Sequence, residues 1–356
     1  MAFTTINKSS EYFNTKLFTG DGATSNAITG VGFQPDFVWL KNRSAVAGHQ
    51  LSDAVRGKSG TNYYSLSSDT TAAQAVQGDN DGLNTLGSDG FTVGYTNSTG
   101  WNNSGNNYAS WNWKANGTGS SNTVGSINST VSANTTSGFS IVTFTGTGSA
   151  ATVGHGLGAI PKMIIIKSLS GGTSNWIVYH NSIGNGKALS LNTTAAESAD
   201  AGYFNSTTPT STVFSLGSDG FSNGSGQTMV AYCFADVQGF SKMGSYKGNG
   251  SADGTFVYTG FKPAFVMTKE WEGTSDWYMN DTTRDPFNGT YGNDASLLAN
   301  TSGAEFTSAS LNVDMLSNGF KLRSTNASTN EVAGYIYMVF AAAPLVGSNN
   351  VPANAR

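Results

Sequence analysis

The stretch Pro161-Lys162-Met163-Ile164-Ile165-Ile166-Lys167 decides the fold of this chain. A proline at the first position of a strand removes a backbone donor where the sheet loses least, and an unbroken apolar run after it is typical of a buried strand. Fifteen residues before this proline stands Gly146, the first glycine of the element Phe144-Thr145-Gly146-Thr147-Gly148. The stretch is therefore predicted to be a core strand that follows a tight turn.

This combination of an aromatic-x-Gly-x-Gly turn and a Pro-x5-Lys strand occurs three times with the same fifteen-residue spacing. Its other copies are Phe18/Gly20/Gly22 with Pro35/Lys41 and Tyr246/Gly248/Gly250 with Pro263/Lys269. Each copy continues to a Gly-Phe pair and a closing aromatic-rich strand; the pairs are Gly90-Phe91, Gly220-Phe221 and Gly319-Phe320, and the strands are 108–113, 229–234 and 335–340. The chain is thus predicted to be three tandem repeats, 1–117, 118–239 and 240–356, each near the size of one domain.

The composition favours strands over helices in all three repeats. Charged residues make up 11% of the chain, aromatic residues make up 12%, and there are 45 glycines, a balance that supports turns and aromatic cores. Aromatic and β-branched clusters in every repeat also argue against disorder. We expect an all-β fold of three tandem β-sandwich domains of jelly-roll type, with closed barrels as the alternative. Residues 118–356 are expected to fold without the first repeat.

Three local features carry structural expectations. The strand-closing Lys41, Lys167 and Lys269 are expected to extend to solvent from the strand ends. Each Gly-Phe pair is expected to follow a tight turn that delivers its phenylalanine into the core. The second and third repeats continue with strands that begin at Trp176 and Trp277, whereas the first repeat has His49 there, so its sheet edge is expected to be diverged or shortened.

Candidate catalytic groups do not form a recognisable motif. A catalytic triad that used His49, His155 or His180 would have to form across distant segments, and no nucleophile elbow suggests one. Cys233 lies in an apolar closing strand, where a buried small side chain is expected. Asp79-Asn80-Asp81-Gly82 lacks the distal glutamate of a calcium loop and is expected to form an Asx turn. We therefore predict no enzyme activity, no catalytic residue, no cofactor and no metal site.

One enzymatic alternative rests on carboxylates from matching regions of two repeats. A glycan depolymerase uses a pair of carboxyl groups, and Asp53, Asp281, Asp285 and Glu305 are the candidates. The competing expectation is that they are solvated turn carboxylates.

Aromatic residues in Asn-, Ser- and Gly-rich stretches are candidates for contact with a partner or a glycan. Rings in such surroundings can stack on sugars or adapt to protein surfaces. The alternative is that they cover the β-core. The candidate residues are Tyr63, Tyr64, Trp101, Tyr108 and Tyr203.

Other sequence features limit the partners. The net charge of −4 provides no basic patch for nucleic acid, and no segment approaches the roughly 20 apolar residues of a membrane span. The N-terminus lacks the apolar stretch of a signal peptide, so synthesis and folding are expected in the cytosol. These features disfavour a secreted carbohydrate-binding module.

Several segments resemble a repeat family encoded by tailed phages and abundant in marine viruses. The segments that carry the resemblance are 3–7, Tyr12-Phe13, 35–43, 154–163, 239–246 and the closing Asn354-Ala355-Arg356. The resemblance covers essentially the whole chain. It implies a structural protein of the virion surface, made in the host bacterial cytoplasm.

Within that family the implied role is a tail-fibre-like appendage for host attachment. Its expected partners are other virion proteins and a host surface glycan or protein, with a homotrimer as the leading assembly. The alternatives are a capsid decoration, cement or head-fibre protein, and a glycan-binding or glycan-degrading tailspike component.

Overall fold

The computed structural model describes residues 4–97, 100–288, 294–308, 310–344 and 346. Phe3 and Asn354-Ala355-Arg356, which contribute to the family resemblance, lie outside the described residues. Within that part of the chain, strands dominate, and the helices are short: a 3-10 helix at Ser9–Glu11 and three α-helices of four residues each. The expected all-β fold is confirmed.

The described residues of the first repeat form nine strands: β1 Phe13–Thr19, β2 Asn26–Thr29, β3 Phe37–Asn42, β4 Gln50–Asp53, β5 Lys58–Ser59, β6 Asn62–Tyr63, β7 Leu83–Gly87, β8 Gly90–Val93 and β9 Asn107–Trp113. A large sheet of order β1-β9-β3-β4 packs against a small sheet of order β2-β8-β7. Strands β5 and β6 form a separate ribbon.

The second repeat has a wider large sheet. Its elements are β10 Ser120–Asn122, β11 Ser129–Asn134, β12 Phe139–Thr145, β13 Ala151–Gly154, β14 Met163–Ser168, β15 Ile177–His180, β16 Lys187–Ser190, β17 Ser198–Ala199, α1 Ala201–Phe204, β18 Val213–Leu216, α2 Gly220–Asn223 and β19 Thr228–Phe234. The large sheet runs β10-β11-β12-β19-β14-β15-β16-β17, and β13 pairs with β18 in the small one.

The third repeat returns to the pattern of the first. Its elements are β20 Ser241–Lys247, β21 Phe256–Tyr258, β22 Phe261–Glu270, β23 Tyr278–Asp281, β24 Asp294–Leu298, β25 Phe306–Ser308, β26 Val313–Leu316, β27 Gly319–Leu322, α3 Ala327–Asn330 and β28 Gly334–Pro344. The large sheet runs β20-β28-β22-β23-β24-β25 and the small sheet β21-β27-β26. The sheets are open, and the strands of each sheet fall within one repeat.

Two kinds of core hold these sheets. Each repeat has its own apolar cluster between its large and small sheets. A fourth cluster contains residues from the large sheets of all three repeats. Strand β14 shows the division: Ile164 and Ile166 face the core of the second repeat, whereas Met163 and Ile165 face the shared cluster. Burial of both faces explains why this strand reads as an unbroken apolar run.

Three equivalent aromatic residues meet at the centre of the shared cluster. Trp113 and Phe234 are the last residues of β9 and β19, Phe340 is the equivalent residue within β28, and each is at most 2% exposed. Their ring centroids lie 6.3 Å (Trp113–Phe234), 6.1 Å (Phe234–Phe340) and 5.7 Å (Trp113–Phe340) apart. The repeats therefore surround one aromatic core in an approximately threefold arrangement. This shared core argues against the expectation that residues 118–356 fold alone.

The Gly-Phe expectation holds in two repeats and is wrong in the second. Phe91 and Phe320 are buried, but Phe221 is 38% exposed. In the second repeat the turn becomes helix α2, whose N-cap Asp219 accepts hydrogen bonds from the backbone N–H groups of Phe221 and Ser222. The small sheet there uses β18 instead, which places Phe214 in the core.

Candidate functional site

The three strand-closing lysines are buried, which corrects the expectation that they extend to solvent. Lys41, Lys167 and Lys269 are each 0% exposed. Each Nζ donates to a backbone carbonyl of another repeat: Lys41 to Ser302 at 3.1 Å, Lys167 to Thr71 at 2.9 Å and Lys269 to Thr194 at 3.1 Å. The first repeat thus contacts the third, the second contacts the first, and the third contacts the second, which closes a cycle.

Each lysine also donates within its own repeat. The Nζ of Lys41 lies 2.7 Å from the carbonyl oxygen of Ala47, and that of Lys167 lies 2.6 Å from the carbonyl oxygen of Ser174. Carbonyl oxygens satisfy the ammonium groups by hydrogen bonds, but burial still disfavours the charged form. Loss of solvation lowers the pKa of all three lysines to about 8.

A second hydrogen bond accompanies each lysine contact, and its acceptor carbonyl lies four residues before the carbonyl that the lysine contacts. Trp176 Nε1 donates to the carbonyl of Ser67 at 3.0 Å, and Trp277 Nε1 donates to that of Ser190 at 3.1 Å. In the remaining interface the donor is His49, whose Nε2 lies 3.0 Å from the carbonyl of Leu298. Each interface therefore includes one ring N–H and one ammonium that donate to two carbonyls four residues apart in the neighbouring repeat.

His49 takes the place of a tryptophan in this arrangement. Trp39 Nε1 donates to its Nδ1 at 2.8 Å, so Nε2 carries the proton that is donated to Leu298. Burial lowers the pKa of His49 to about 4, and the nearby Lys41 charge adds to this effect. Strand β4 after His49 has four residues, like β15 and β23, so the strand is not shortened. The large sheet nevertheless ends at β4, whereas the other two repeats add further strands.

A second set of equivalent positions links the repeats at the ends of β4, β15 and β23. Asp53 accepts a hydrogen bond from Tyr232 of the second repeat at 2.8 Å. Asp281 accepts one from Trp111 of the first repeat at 3.0 Å. His180 is the corresponding residue of the second repeat, and its Nε2 lies 3.3 Å from the carbonyl oxygen of Tyr337 in the third.

The two aspartates are further held by buried ion pairs three residues along the chain. Arg56 contacts Asp53 and Arg284 contacts Asp281, and all four side chains are at most 1% exposed. The second repeat replaces the pair with His180 and the apolar Ile183. Burial without a carboxylate partner lowers the pKa of His180 to about 4, so this position carries no charge near neutral pH.

The carboxylates considered for glycan hydrolysis are engaged in structural contacts. Besides Asp53 and Asp281, Glu305 forms a bidentate pair with Arg43 at 2.6 and 2.9 Å and also contacts Arg284 at 3.0 Å. Asp285 Oδ2 accepts from the backbone N–H of Ala295 at 3.2 Å. The paired groups are therefore not the solvated turn carboxylates expected. Within the described ranges, no cluster of three or more histidine, cysteine, aspartate or glutamate residues could hold a metal ion.

A buried asparagine in each repeat organises the Gly-x-Gly turn, and the sequence reading missed it. The three residues are Asn102, Asn223 and Asn330, and each is 0% exposed. Their Oδ1 atoms accept from the backbone N–H between the two glycines, at 3.2, 2.8 and 3.2 Å. The regular spacing of these asparagines could have revealed them, because they precede Trp113, Phe234 and Phe340 by eleven, eleven and ten positions.

The first glycine of each turn lies against this asparagine loop. A Cβ at Gly20, Gly146 or Gly248 would lie 2.2, 2.4 or 1.9 Å from a backbone oxygen. These distances are far inside contact range, so only glycine permits the close approach. Close packing against this loop thus explains the repeated first glycine of the Gly-x-Gly motif.

The structure divides the five candidate contact aromatics. Trp101 and Tyr108 are 1% and 0% exposed and belong to the core of the first repeat. Their rings are therefore enclosed and are not accessible to a partner or a glycan. Tyr63, Tyr64 and Tyr203 are half-buried. Tyr63 and Tyr203 pack against the cores of the first and second repeats, as expected of rings that cover a β-core. Contact with a partner stays a prediction for these three.

The remaining reactive side chains are also enclosed. Cys233 is buried as expected, and burial raises the pKa of its thiol to about 12. His155 is buried, with Nδ1 accepting from the N–H of Leu157 and Nε2 facing the carbonyl of Thr210.

None of the helices in the described part of the chain has the length and apolar character needed to cross a membrane.

A comparison of the sequence with known protein families identifies the family of this chain. Residues 8–344 match the family described as Domain of unknown function (DUF7483), and the chain belongs to this family. The match extends through all three repeats. No curated protein matches the chain.

Proposed function

We propose that this member of the DUF7483 family is a structural protein of the phage virion surface, a tail-fibre-like appendage that contributes to host contact. The resemblance to phage-encoded repeat proteins suggests the setting. The observation that carries the proposal is the closed cycle of inter-repeat contacts around one aromatic core, built from a single chain with a single cysteine. A particle component made in a reducing cytoplasm must be held together without disulfides after release.

Buried polar contacts suit that demand. The lysine, tryptophan and histidine donors each engage a carbonyl across a repeat boundary, so opening one interface leaves buried polar groups unpaired. Such contacts favour one fixed arrangement of the repeats. A rigid body that presents loops at its surface is suited to attachment and to recognition.

Immunogold labelling of intact phage particles with antibody against the purified chain tests the location. Gold on tail fibres supports the proposal. Gold over the head favours the alternative of a capsid decoration, cement or head-fibre protein, and absence of label from the particle contradicts both. Particles of a phage that lacks this gene serve as the control.

The homotrimer implied by the resemblance is a separate proposal. The shared core is completed within one chain, so no second copy is needed to cover it. Sedimentation equilibrium distinguishes the two states, because a monomer has a mass of 37.0 kDa and a trimer three times that value.

A further inference from the structure

A cleft opens at the joint between the second and third repeats. Its volume is about 390 Å³, and its walls come from residues 236–239 after β19, the start of β20 and the end of β21. This volume lies within the range of roughly 300 to 1,000 Å³ typical of small-molecule sites. The cleft is therefore large enough for one or two sugar rings.

An exposed tyrosine forms one side of the cleft. Tyr258 is 53% exposed. The Nζ of Lys242 donates to the Tyr258 carbonyl at 3.0 Å and lies 5.8 Å from the centroid of its ring. Both contacts hold the end of β21 in place, and about half of the Tyr258 side-chain region remains exposed to solvent beside the Lys242 ammonium. A fixed, exposed aromatic ring provides a flat apolar surface for the C–H face of a sugar.

The polar groups around this ring match hydroxyl chemistry. Asp236, Gln238 and Lys242 line the cleft and together offer a carboxylate, an amide and an ammonium group. Asp236 is oriented by the backbone N–H of Met243, which donates to its Oδ1 at 2.8 Å. Sugar hydroxyls both donate and accept hydrogen bonds, whereas the presence of both charge signs disfavours a strongly charged ligand.

Comparison of the repeats shows that the ring is not needed for the sandwich. Tyr258 pairs with Gly319 in the small sheet of the third repeat, and Thr29 pairs with Gly90 at the equivalent place in the first. The core position between the sheets is filled in both cases, by Val257 and by Ile28. Two residues before Tyr258, on the same face of β21, Phe256 is 43% exposed. The third repeat therefore carries an exposed aromatic face that the fold itself does not require.

We propose that this cleft is a binding site for a neutral saccharide, with a sugar ring stacked on Tyr258 and its hydroxyls bound by Asp236, Gln238 and Lys242. The inference rests on the proposed host contact for its biological meaning. Binding by the purified chain is a separate question from location on the particle, so failure of one is distinguishable from failure of the other.

Saturation-transfer NMR on the full-length chain tests the site with glucose, galactose, N-acetylglucosamine, maltose and lactose as probes. At least one of these sugars is expected to bind saturably at millimolar concentrations. Tyr258→Ala should weaken that binding about tenfold or more, because the apolar contact with the ring is lost. Tyr258→Trp, which keeps a flat aromatic surface, should retain it.

Phe221→Ala is the matched control, since it removes an exposed ring from helix α2 outside the cleft. Its binding should equal that of the unaltered chain. Failure of all five sugars to bind overturns the proposal, and so does binding that persists in Tyr258→Ala or that is lost equally in Phe221→Ala. Circular dichroism of each variant confirms that the fold is retained.

Discussion

Replacement of His180 with glutamine is expected to reduce the loss of stability on acidification. His180 is 0% exposed, and its Nδ1 accepts from the N–H of Ser182 at 3.2 Å, so the proton resides on Nε2. Its Nε2 faces the Tyr337 carbonyl across the boundary between the second and third repeats. A second proton on this ring would remove the acceptor of the Ser182 N–H and place an unpaired charge in the core.

The size of the effect follows from the difference in pKa between the two states. Burial lowers the pKa of His180 from 6.5 to about 4, so the unfolded chain takes up the proton at a higher pH than the folded chain. The stability contributed by the neutral ring is complete above pH 6.5 and decreases as the pH falls toward 4. Linkage gives a loss of about 2 kcal/mol at pH 5 and about 3 kcal/mol at pH 4.

Denaturant unfolding followed by tryptophan fluorescence at pH 7 and pH 5 measures this difference. The unaltered chain should lose about 2 kcal/mol more than His180→Gln between these pH values, because glutamine keeps a donor near the position of Nε2 and does not titrate. Ile183→Val is the control, since it should lower stability equally at both pH values. If the unaltered chain and His180→Gln lose the same free energy of unfolding, the reasoning about His180 is wrong.

Three further changes address the core, the turns and the lysines. Phe340→Ala should lower the free energy of unfolding by about 3–5 kcal/mol in a denaturant titration, because it opens a cavity at the centre of the shared core. Gly248→Ala should abolish soluble folded protein, as judged by yield and circular dichroism, because its Cβ would lie 1.9 Å from the Glu331 carbonyl oxygen, whereas Gly220→Ala meets no atom within 4 Å and should fold. The lysine burial predicts that stability rises as the pH increases from about 8 toward 10.5, since the unfolded chain holds these protons more tightly. Lys167→Met should reduce that rise by about 2 kcal/mol between pH 8 and pH 10.

Local patterns in the sequence were sufficient to predict the all-β fold and individual core strands. The stretch from Pro161 to Lys167 was predicted to be a core strand because a proline at a strand start and an unbroken apolar run are both recognisable without knowledge of distant residues. The same run contained a signal that was not used: residues facing both sides of the strand are apolar, which requires cover on both faces. That cover comes from the other repeats, and no local pattern identifies which distant element provides it.

The errors at the lysines and at the Gly-Phe pair have the same origin. A lysine at a strand end ordinarily reaches water, but Lys167 ends where a loop of the first repeat supplies the carbonyl of Thr71. Phe221 follows the same Ser-Asp-Gly turn as Phe91, yet it lies outside the core because β18 has taken the place of the following strand. The candidate site was hardest to predict: Asp236 and Lys242 are close in the sequence, but Tyr258 belongs to strand β21 and forms no recognisable motif with them, and folding brings its ring to the same cleft.

The central claim is that three repeats share one core, and deletion of residues 1–117 tests it most directly. The remaining chain would expose the faces of Phe234, Phe265 and Phe340 that Trp113 covers in the complete protein. Near-ultraviolet circular dichroism and binding of the dye ANS should be measured on residues 118–356 and on the full chain. We expect a weak near-ultraviolet signal and strong ANS binding for the shortened chain. A native-like signal with a cooperative unfolding transition would contradict it.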